Sequence, residues 1–365
     1  MLVTVVTTWF PTDRHPAHAP FVVRDAQAIQ EVADVTLRLV HLIPPRDLDG
    51  PRRIVHDGLE VLRIPFDPQD PRTWRAVRAP LSAALRGSDL VHSMAISSLI
   101  ALRFVRVPVP WVHTEHWSAL TTPSSAPGAL RRAIPLFRRL LRRPDLVTAV
   151  VEFLARPIRE ERGARPVAVV PCIVDPIALS PRRPREDGRL NLFSTGSLIA
   201  RKDPHVAVRT VAELRSRGVD AHLHWLGDGP ERESTQVLAR DLGVEDGVHL
   251  HGFIPPDQVM EMISREADIF FGPTRADNFF VGAAEAILAG RPVVLGATGG
   301  QGEYVDARIG ELIEEQDPTR YADALLRVDE RTRELSSEEI AATIGTRFSS
   351  ATVGELYRAA YGTVL

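Results

Sequence analysis

Short apolar runs recur along the whole chain, and helical patterns of suitable length lie between most of them. Runs at 2–7, 35–42, 89–93, 109–114, 146–151 and 167–170 read as strands, and a second series follows at 190–195, 222–226, 248–251, 268–271 and 292–295. Phe21 to Val32 reads as a helix after a loop holding Pro11, Pro16 and Pro20. Short buried strands alternating with helices imply parallel sheets in an α/β fold. At 365 residues, two domains are expected, since domains run to roughly 100–200 residues each. Pro171 to Gly188, with Pro176, Pro181 and Pro184 among arginines, has the composition of a linker. The expected division is 1–172, 173–347, and a closing helix over 348–365 with Val353, Leu356, Tyr357 and Ala360 at helical spacing. Two Rossmann-like halves facing each other would leave a ligand cleft at the carboxyl ends of their strands.

Composition narrows the function classes. Lys and Arg number 44 against 47 Asp and Glu, a net charge of −3 that gives no electrostatic reason to expect nucleic-acid binding. The one cysteine, Cys172, cannot form an internal disulfide or a Cys-rich metal site, which fits a reducing compartment. Met1 to Thr4 lacks the basic start of a signal peptide. No apolar run approaches the ~18 residues of a membrane span. The expected location is cytoplasmic. Lys202 is the single lysine among the 44 basic residues, and Asn191 and Asn278 are the only asparagines. Both amino acids use AT-rich codons, so a GC-rich, bacterial genome is expected, in which a surviving lysine marks a place where arginine does not serve.

The strand over 190–195 runs into Gly196-Ser197-Leu198-Ile199-Ala200-Arg201-Lys202-Asp203-Pro204, and a helix follows. Glycine after a strand lets a ligand approach the backbone, and a helix N-terminus favours anions. Lys202 adds a compact positive charge suited to phosphate. The plain alternative is a solvated lysine beside a proline-started helix. The segment from Pro273 to Val294 reads as strand end, loop, helix, glycine cap at Gly290 and next strand. Asp277 precedes that helix and Glu285 lies two turns inside it, roughly 12 Å away along the axis. Acidic groups so placed can hold opposite ends of an elongated ligand, with helix-start amides between them for its anionic middle. Alternatively Asp277 is a helix cap and Glu285 a surface residue, although Ala284 and Ala286 beside Glu285 argue against a plain solvated face.

These residues resemble the Glu-x7-Glu signature of glycosyltransferase family 4, the retaining group with the two-domain GT-B fold. The resemblance continues through four further motifs. Gly196 to Lys202 is similar to the family's Gly-Arg-Leu-x-x-x-Lys loop, and Gly227-Asp228-Gly229-Pro230 to its Gly-x-Gly-Pro turn. His251-Gly252-Phe253-Ile254 is similar to its Phe-x-Gly segment, and Thr298-Gly299-Gly300 with Glu303 to its Gly-Gly-x-x-Glu loop. The N-terminal half matches more loosely, through Trp111-Val112-His113-Thr114-Glu115-His116.

The resemblance implies a role for each position. Gly196, Ser197 and Arg201 would line the phosphate loop. Lys202 would neutralise the diphosphate of a UDP- or GDP-type sugar donor, aided by the amides of Val281 and Gly282. Glu285 would hold the ribose hydroxyls, and the backbone of Phe253 and Ile254 would border the base. Asp277, with the amides of Asn278 and Phe279, would bind the transferred hexose-type sugar. His116 would lie near the anomeric carbon. Three departures from the family pattern stand out. Asp277 replaces a glutamate, Ser197 replaces an arginine, and His15-Pro16-Ala17-His18-Ala19-Pro20-Phe21 stands where a glycine-rich loop is usual.

The implied reaction is retaining transfer to an acceptor hydroxyl, with catalysis by positioning and electrostatics, no cofactor and no metal. The acceptor is left open by the sequence, with a natural product, a glycan or a lipid-linked molecule as the expected classes. Competing readings are a GT-B epimerase or phosphorylase, or a nucleotide-sugar-binding protein whose chemistry has lapsed. Asp47-Leu48-Asp49 spells a metal-binding Asp-x-Asp inside a proline-rich loop and reads as coincidence. His113 and His116 sit three apart, which on a strand puts them on opposite faces and opposes shared metal ligation. From Leu130 to Arg143, Leu130, Ile134, Phe137 and Leu141 form an apolar stripe flanked by Arg131, Arg132, Arg138, Arg139, Arg142 and Arg143. Such a helix either lies on an anionic membrane at the inner face or packs its stripe on the core.

Overall fold

A computed structural model of the chain describes all residues except 13, 15–18, 33–34, 127 and 183–187, and the side chains of 129 and 257. The chain forms two compact units, Met1–Ile173 with Phe348–Leu365, and Val174–Arg347.

The first unit is built on an eight-stranded sheet. Its strands are β1 (Leu2–Thr7), β2 (Thr36–Ile43), β3 (Arg53–His56), β4 (Leu59–Pro65), β5 (Leu90–Met94), β6 (Trp111–Glu115), β7 (Leu146–Ala149) and β8 (Val167–Val169). The order is β3-β4-β2-β1-β5-β6-β7-β8. Every pair is parallel except β3 with β4, so the expected all-parallel sheet is corrected at one edge. That hairpin turns through Asp57 and Gly58, both at positive φ (47° and 80°), as a two-residue Asp-Gly turn requires. The central β1, Leu-Val-Thr-Val-Val-Thr, is largely β-branched and buried from Val3 onward.

Beside this sheet lies the helix Pro20–Glu31, whose proline occupies the first turn, where its missing N–H costs nothing. It buries Val22, Val23, Ala26 and Ile29 in one core cluster with Val353, Tyr357, Ala360 and Tyr361 of the helix Ser350–Gly362. A Cβ at Gly354 would meet the Val32 side chain at 2.3 Å, so glycine sets how closely the last helix approaches. The basic helix spans Gly128–Leu140. Ile134 and Leu141 are buried, and Phe137 meets Trp117 edge-on at 6.2 Å. Three of the four stripe residues therefore turn inward, while Leu130, with Leu136, is exposed among Arg131, Arg132 and Arg139. No helix among the described residues is long and apolar enough to cross a membrane.

The second unit holds a six-stranded, fully parallel sheet of β9 (Leu190–Thr195), β10 (Ala221–Leu226), β11 (Val248–Gly252), β12 (Ile269–Gly272), β13 (Val293–Gly296) and β14 (Gly310–Ile313). The order β11-β10-β9-β12-β13-β14 reverses direction between β9 and β12, the switch point of a doubly wound sheet. One face packs Leu192, Leu223, Trp225 and Phe271 against Val208 and Val211 of the helix Pro204–Ser216 and Tyr321 and Leu325 of the helix Pro318–Thr332.

The opposite face of β10 and β11 carries a ladder of imidazoles. His222 Nδ1 lies 3.3 Å from His249 Nε2, and His224 Nδ1 lies 3.0 Å from His251 Nε2. The His224 ring also stacks on Phe193 at 4.7 Å. Burial first, then the neighbouring imidazoles, push His224 down to about 3, while His249 and His251 are lowered chiefly by burial. A histidine whose folded pKa lies below its unfolded value near 6.5 is charged first in the unfolded chain. Its contribution to stability is therefore lost as pH falls from about 6.5 toward 3. Urea unfolding at several pH values across that window is expected to show stability falling with acidification, with a shallower fall in His224→Phe. Equal slopes in both proteins would contradict the ladder's role.

Candidate active site

Around the switch point four loops that follow strands β9, β10, β12 and β13 are tied together. Gly196 leaves β9 at φ 106°, and its carbonyl accepts the Trp225 indole N–H at 2.8 Å. Gly227 follows β10 so closely that a Cβ there would stand 2.1 Å from the Gly196 oxygen. The Gly-Asp-Gly-Pro turn is thus a packing requirement of the first loop. Next, the Arg201 carbonyl accepts the Arg275 N–H at 2.8 Å and the Thr274 hydroxyl at 3.1 Å. In the loop after β13 Thr298 O accepts from Asp277 N at 3.1 Å, and Gly300 N donates to Asn278 O at 2.8 Å. A Cβ at Gly299 would stand 2.1 Å from the Asp277 oxygen, so this loop too needs its glycine.

The charged side chains converge inside this frame. Lys202 Nζ donates to Asp277 Oδ2 at 2.8 Å, and Arg201 Nη1 donates to the same oxygen at 3.0 Å. Asp277 Oδ1 accepts the Phe280 N–H at 3.3 Å. Lys202 Nζ also sits 3.6 Å from the centre of the Phe280 ring, a cation–π contact. The Lys202 side chain is 11% exposed and that of Asp277 19%. Burial lowers the Lys202 pKa, against the pull of Asp277. For Asp277 burial acts upward, but Lys202 and Arg201 outweigh it and hold the carboxyl below its ordinary range. The trio is thus a lysine, an arginine and a carboxylate joined at one oxygen.

Phe280, in the left-handed region at φ 56°, is the N-cap of the helix Val281–Leu288. Gly282 begins that helix against β9, where a Cβ would meet Thr195 Oγ1 at 2.1 Å. The helix start is thereby fixed at the switch point, a position whose dipole favours an anion. Glu285 is half-buried in an otherwise apolar helix, and its charge reaches Lys202. Asn278 and Phe279 are buried, and the Tyr304 hydroxyl donates to the carbonyls of Phe279 at 2.6 Å and Phe280 at 3.0 Å. Ser197 is exposed, and Phe253, just beyond β11, is 58% exposed beside half-buried Ile254.

The structure thus brings together Arg201, Lys202, Asp277 and the start of the Val281–Leu288 helix. Phe280 and Tyr304 belong to the same assembly although sequence reasoning gave them no role. Phe280 carried a signal, as the aromatic residue immediately before the helix; Tyr304 carried none. The reading of Asp277 as a plain cap is corrected to a bridging one, with one oxygen on the Phe280 amide and the other on two cations.

His116 belongs to the first unit, directly after β6. Its Nε2 lies 3.7 Å from Asp25 Oδ2, and its ring packs on Phe21 at 4.5 Å. Burial pushes His116 down to about 4 and Asp25 up to about 7, so each is driven toward its neutral form. His113 Nε2 instead meets Glu115 Oε2 at 3.2 Å inside the sheet. Among the described residues no group of three or more His, Cys, Asp or Glu is gathered to hold a metal ion. Asp49 of the Asp-x-Asp loop meets Arg63 at 3.4 Å. Of the segment replacing the glycine-rich loop, 15–18 lie outside the described residues.

Two Rossmann-like parallel-sheet units, one carrying a cationic loop at its switch point, define the GT-B class of α/β proteins. Residues 26–177 match the family described as Glycosyltransferase Family 4, and residues 178–340 match Glycosyl transferases group 1. The chain belongs to this glycosyltransferase family. It is 32% identical over 247 residues to D-inositol 3-phosphate glycosyltransferase of Acidothermus cellulolyticus, covering 60% of this chain and 54% of that protein. It spans about half the length of the curated relatives it matches. In fold it resembles the lipopolysaccharide outer core galactosyltransferase WaaB in its apo form, with a TM-score of 0.79 at 14% identity over 100% of both chains. Anabaena HepE in complex with UDP-glucose aligns with a TM-score of 0.73 at 16% identity, again over 100% of both chains.

Proposed function

We propose that this protein is a retaining, metal-independent glycosyltransferase that moves a hexose-type sugar from a nucleoside-diphospho-sugar to an acceptor hydroxyl. The observation that carries the reading is the convergence of Lys202 and Arg201 on one point beside the start of the Val281–Leu288 helix. Two cations and the first N–H groups of the helix, those of Val281 and Gly282, would stabilise a departing diphosphate as its charge grows. Glu285, two turns along, suits the ribose hydroxyls. Asp277 and the amides of Asn278 and Phe279 suit hydroxyls of the sugar, and the loop of Phe253 and Ile254 borders the base. His116, in the other unit, is pushed toward its neutral form, and any hydrogen bond it gives a substrate would be uncharged.

In the reaction the bond from the anomeric carbon to the diphosphate oxygen breaks, and the acceptor oxygen bonds to that carbon on the same face. The acceptor's proton passes to the departing diphosphate oxygen. Positioning and charge stabilisation supply the acceleration. The HepE complex makes a uracil nucleotide the first donor to try. The test is thermal shift with UDP, GDP, ADP and their glucose conjugates, followed by sugar transfer in the presence of EDTA. A donor is expected to raise the melting temperature of the wild type, and less so that of Glu285→Ala. Equal shifts in the two proteins would remove Glu285 from the site, and no shift with any donor would sink the reading.

A further inference from the structure

The diphosphate reading leaves one contact unexplained. Lys202 and Arg201, the cations a diphosphate would need, both already grip Asp277 Oδ2, at 2.8 and 3.0 Å. We infer that Asp277 is a specificity-determining residue that competes with the diphosphate for these two cations and so favours a sugar-bearing donor over the bare nucleoside diphosphate. The inference rests on the proposed function. Its physical basis is the enclosure of the carboxylate. With its side chain 19% exposed, Asp277 has little water to turn to when its cations are taken. A charge stranded in that way is costly unless new donors arrive. Hydroxyls of a transferred sugar are such donors; a bare diphosphate brings none and adds negative charge beside the carboxylate. The site would therefore accept the donor and release the product through one exchange of partners. The low carboxyl pKa keeps Asp277 charged, and hence competitive, throughout the neutral range.

The test uses calorimetric titration of the full chain with UDP and UDP-glucose, or with whichever nucleotide of the panel binds. Asp277→Asn keeps the shape and the Phe280 amide contact while removing the charge. It is expected to tighten binding of the bare diphosphate on the order of tenfold and to move the affinity ratio toward the bare diphosphate by a similar factor. Asp277→Glu, which keeps the charge, is expected to stay near the wild type. Bare-diphosphate affinity that is unchanged or weaker in Asp277→Asn would overturn the inference while leaving the proposed function in place.

A second measurement needs no variant. Because Lys202 is the only lysine, the wild type labelled with 13C at lysine Cε gives a single side-chain resonance. That resonance is expected to move when a binding nucleoside diphosphate displaces Asp277. An unmoved signal at saturation would overturn the exchange. If no nucleoside diphosphate of the panel binds at all, the proposed function falls and the inference falls with it.

Discussion

Lys202→Ala is expected to lower kcat/KM for sugar transfer on the order of 10²- to 10³-fold, the usual cost of deleting one preorganised charge at a departing anion. Most of the loss should appear in kcat, because the diphosphate gains charge as it leaves. Lys202→Arg is the more revealing change. Guanidinium and ammonium carry the same charge, but the site is shaped for the smaller group. Nζ lies 3.6 Å over the Phe280 ring, and a Cβ at Gly196 would already stand 3.5 Å from the lysine Cε. A planar fork in that space must displace the ring or withdraw from the switch point. Steady-state kinetics of Lys202→Arg are therefore expected to show a loss on the order of tenfold or more, since a small misplacement of a binding group is costly. A fully active Lys202→Arg protein would mean that the lone lysine reflects codon usage alone.

The largest effect on stability is expected at Arg291, whose side chain is 1% exposed. Its guanidinium donates to the carbonyl oxygens of Gly290 at 2.9 Å, Ser180 at 3.4 Å and Ser264, and to Ser337 Oγ at 2.8 Å. Carbonyl dipoles thus do the work usually given to a carboxylate. Burial, then the charge of Arg182, push its pKa down to about 10, so it remains a cation at neutral pH. Arg291→Met fills similar space but takes the guanidinium donor from the carbonyls of Gly290 and Ser264, each at about 1–3 kcal/mol, while the Ser180 carbonyl keeps the Ser337 hydroxyl at 2.7 Å. A total loss of roughly 3 kcal/mol corresponds to a melting temperature lower by about 6–12 °C for a unit of this size. Differential scanning calorimetry checks this. An unchanged melting temperature would mean that the carbonyls find water or new partners.

The parts of the fold that were legible in sequence are those where local chemistry and burial agree. Leu2 to Thr7 and Leu190 to Thr195 carry apolar residues on both faces, as suits a central parallel strand. The edge pair β3 and β4 was missed because Arg53, His56 and Glu60 break up the apolar pattern, even though Asp57-Gly58 is a standard hairpin signal. The stripe of the Gly128–Leu140 helix was legible as a stripe, but its partner was not, since periodicity says which residues share a face and nothing about what covers it. The site shows the same division. Each loop could be read separately from its glycines and charges. The contact of Lys202 with Asp277 could not, because 75 residues separate them and only the order of β9 and β12 in the sheet joins them.

That sheet order also bears on how the chain comes to be folded. The first unit takes its last helix, Ser350–Gly362, from beyond the second unit, so Val174–Arg347 is an insertion within it. During synthesis the inserted unit is complete in sequence while its host still lacks the segment bearing Tyr357 and Tyr361. Until that segment docks, His92 lacks the Tyr361 hydroxyl partner it holds at 2.8 Å, and the core around Val22 and Ile29 stays open to water. The proposed donor-binding unit is thus able to mature first, and the unit holding His116 closes last.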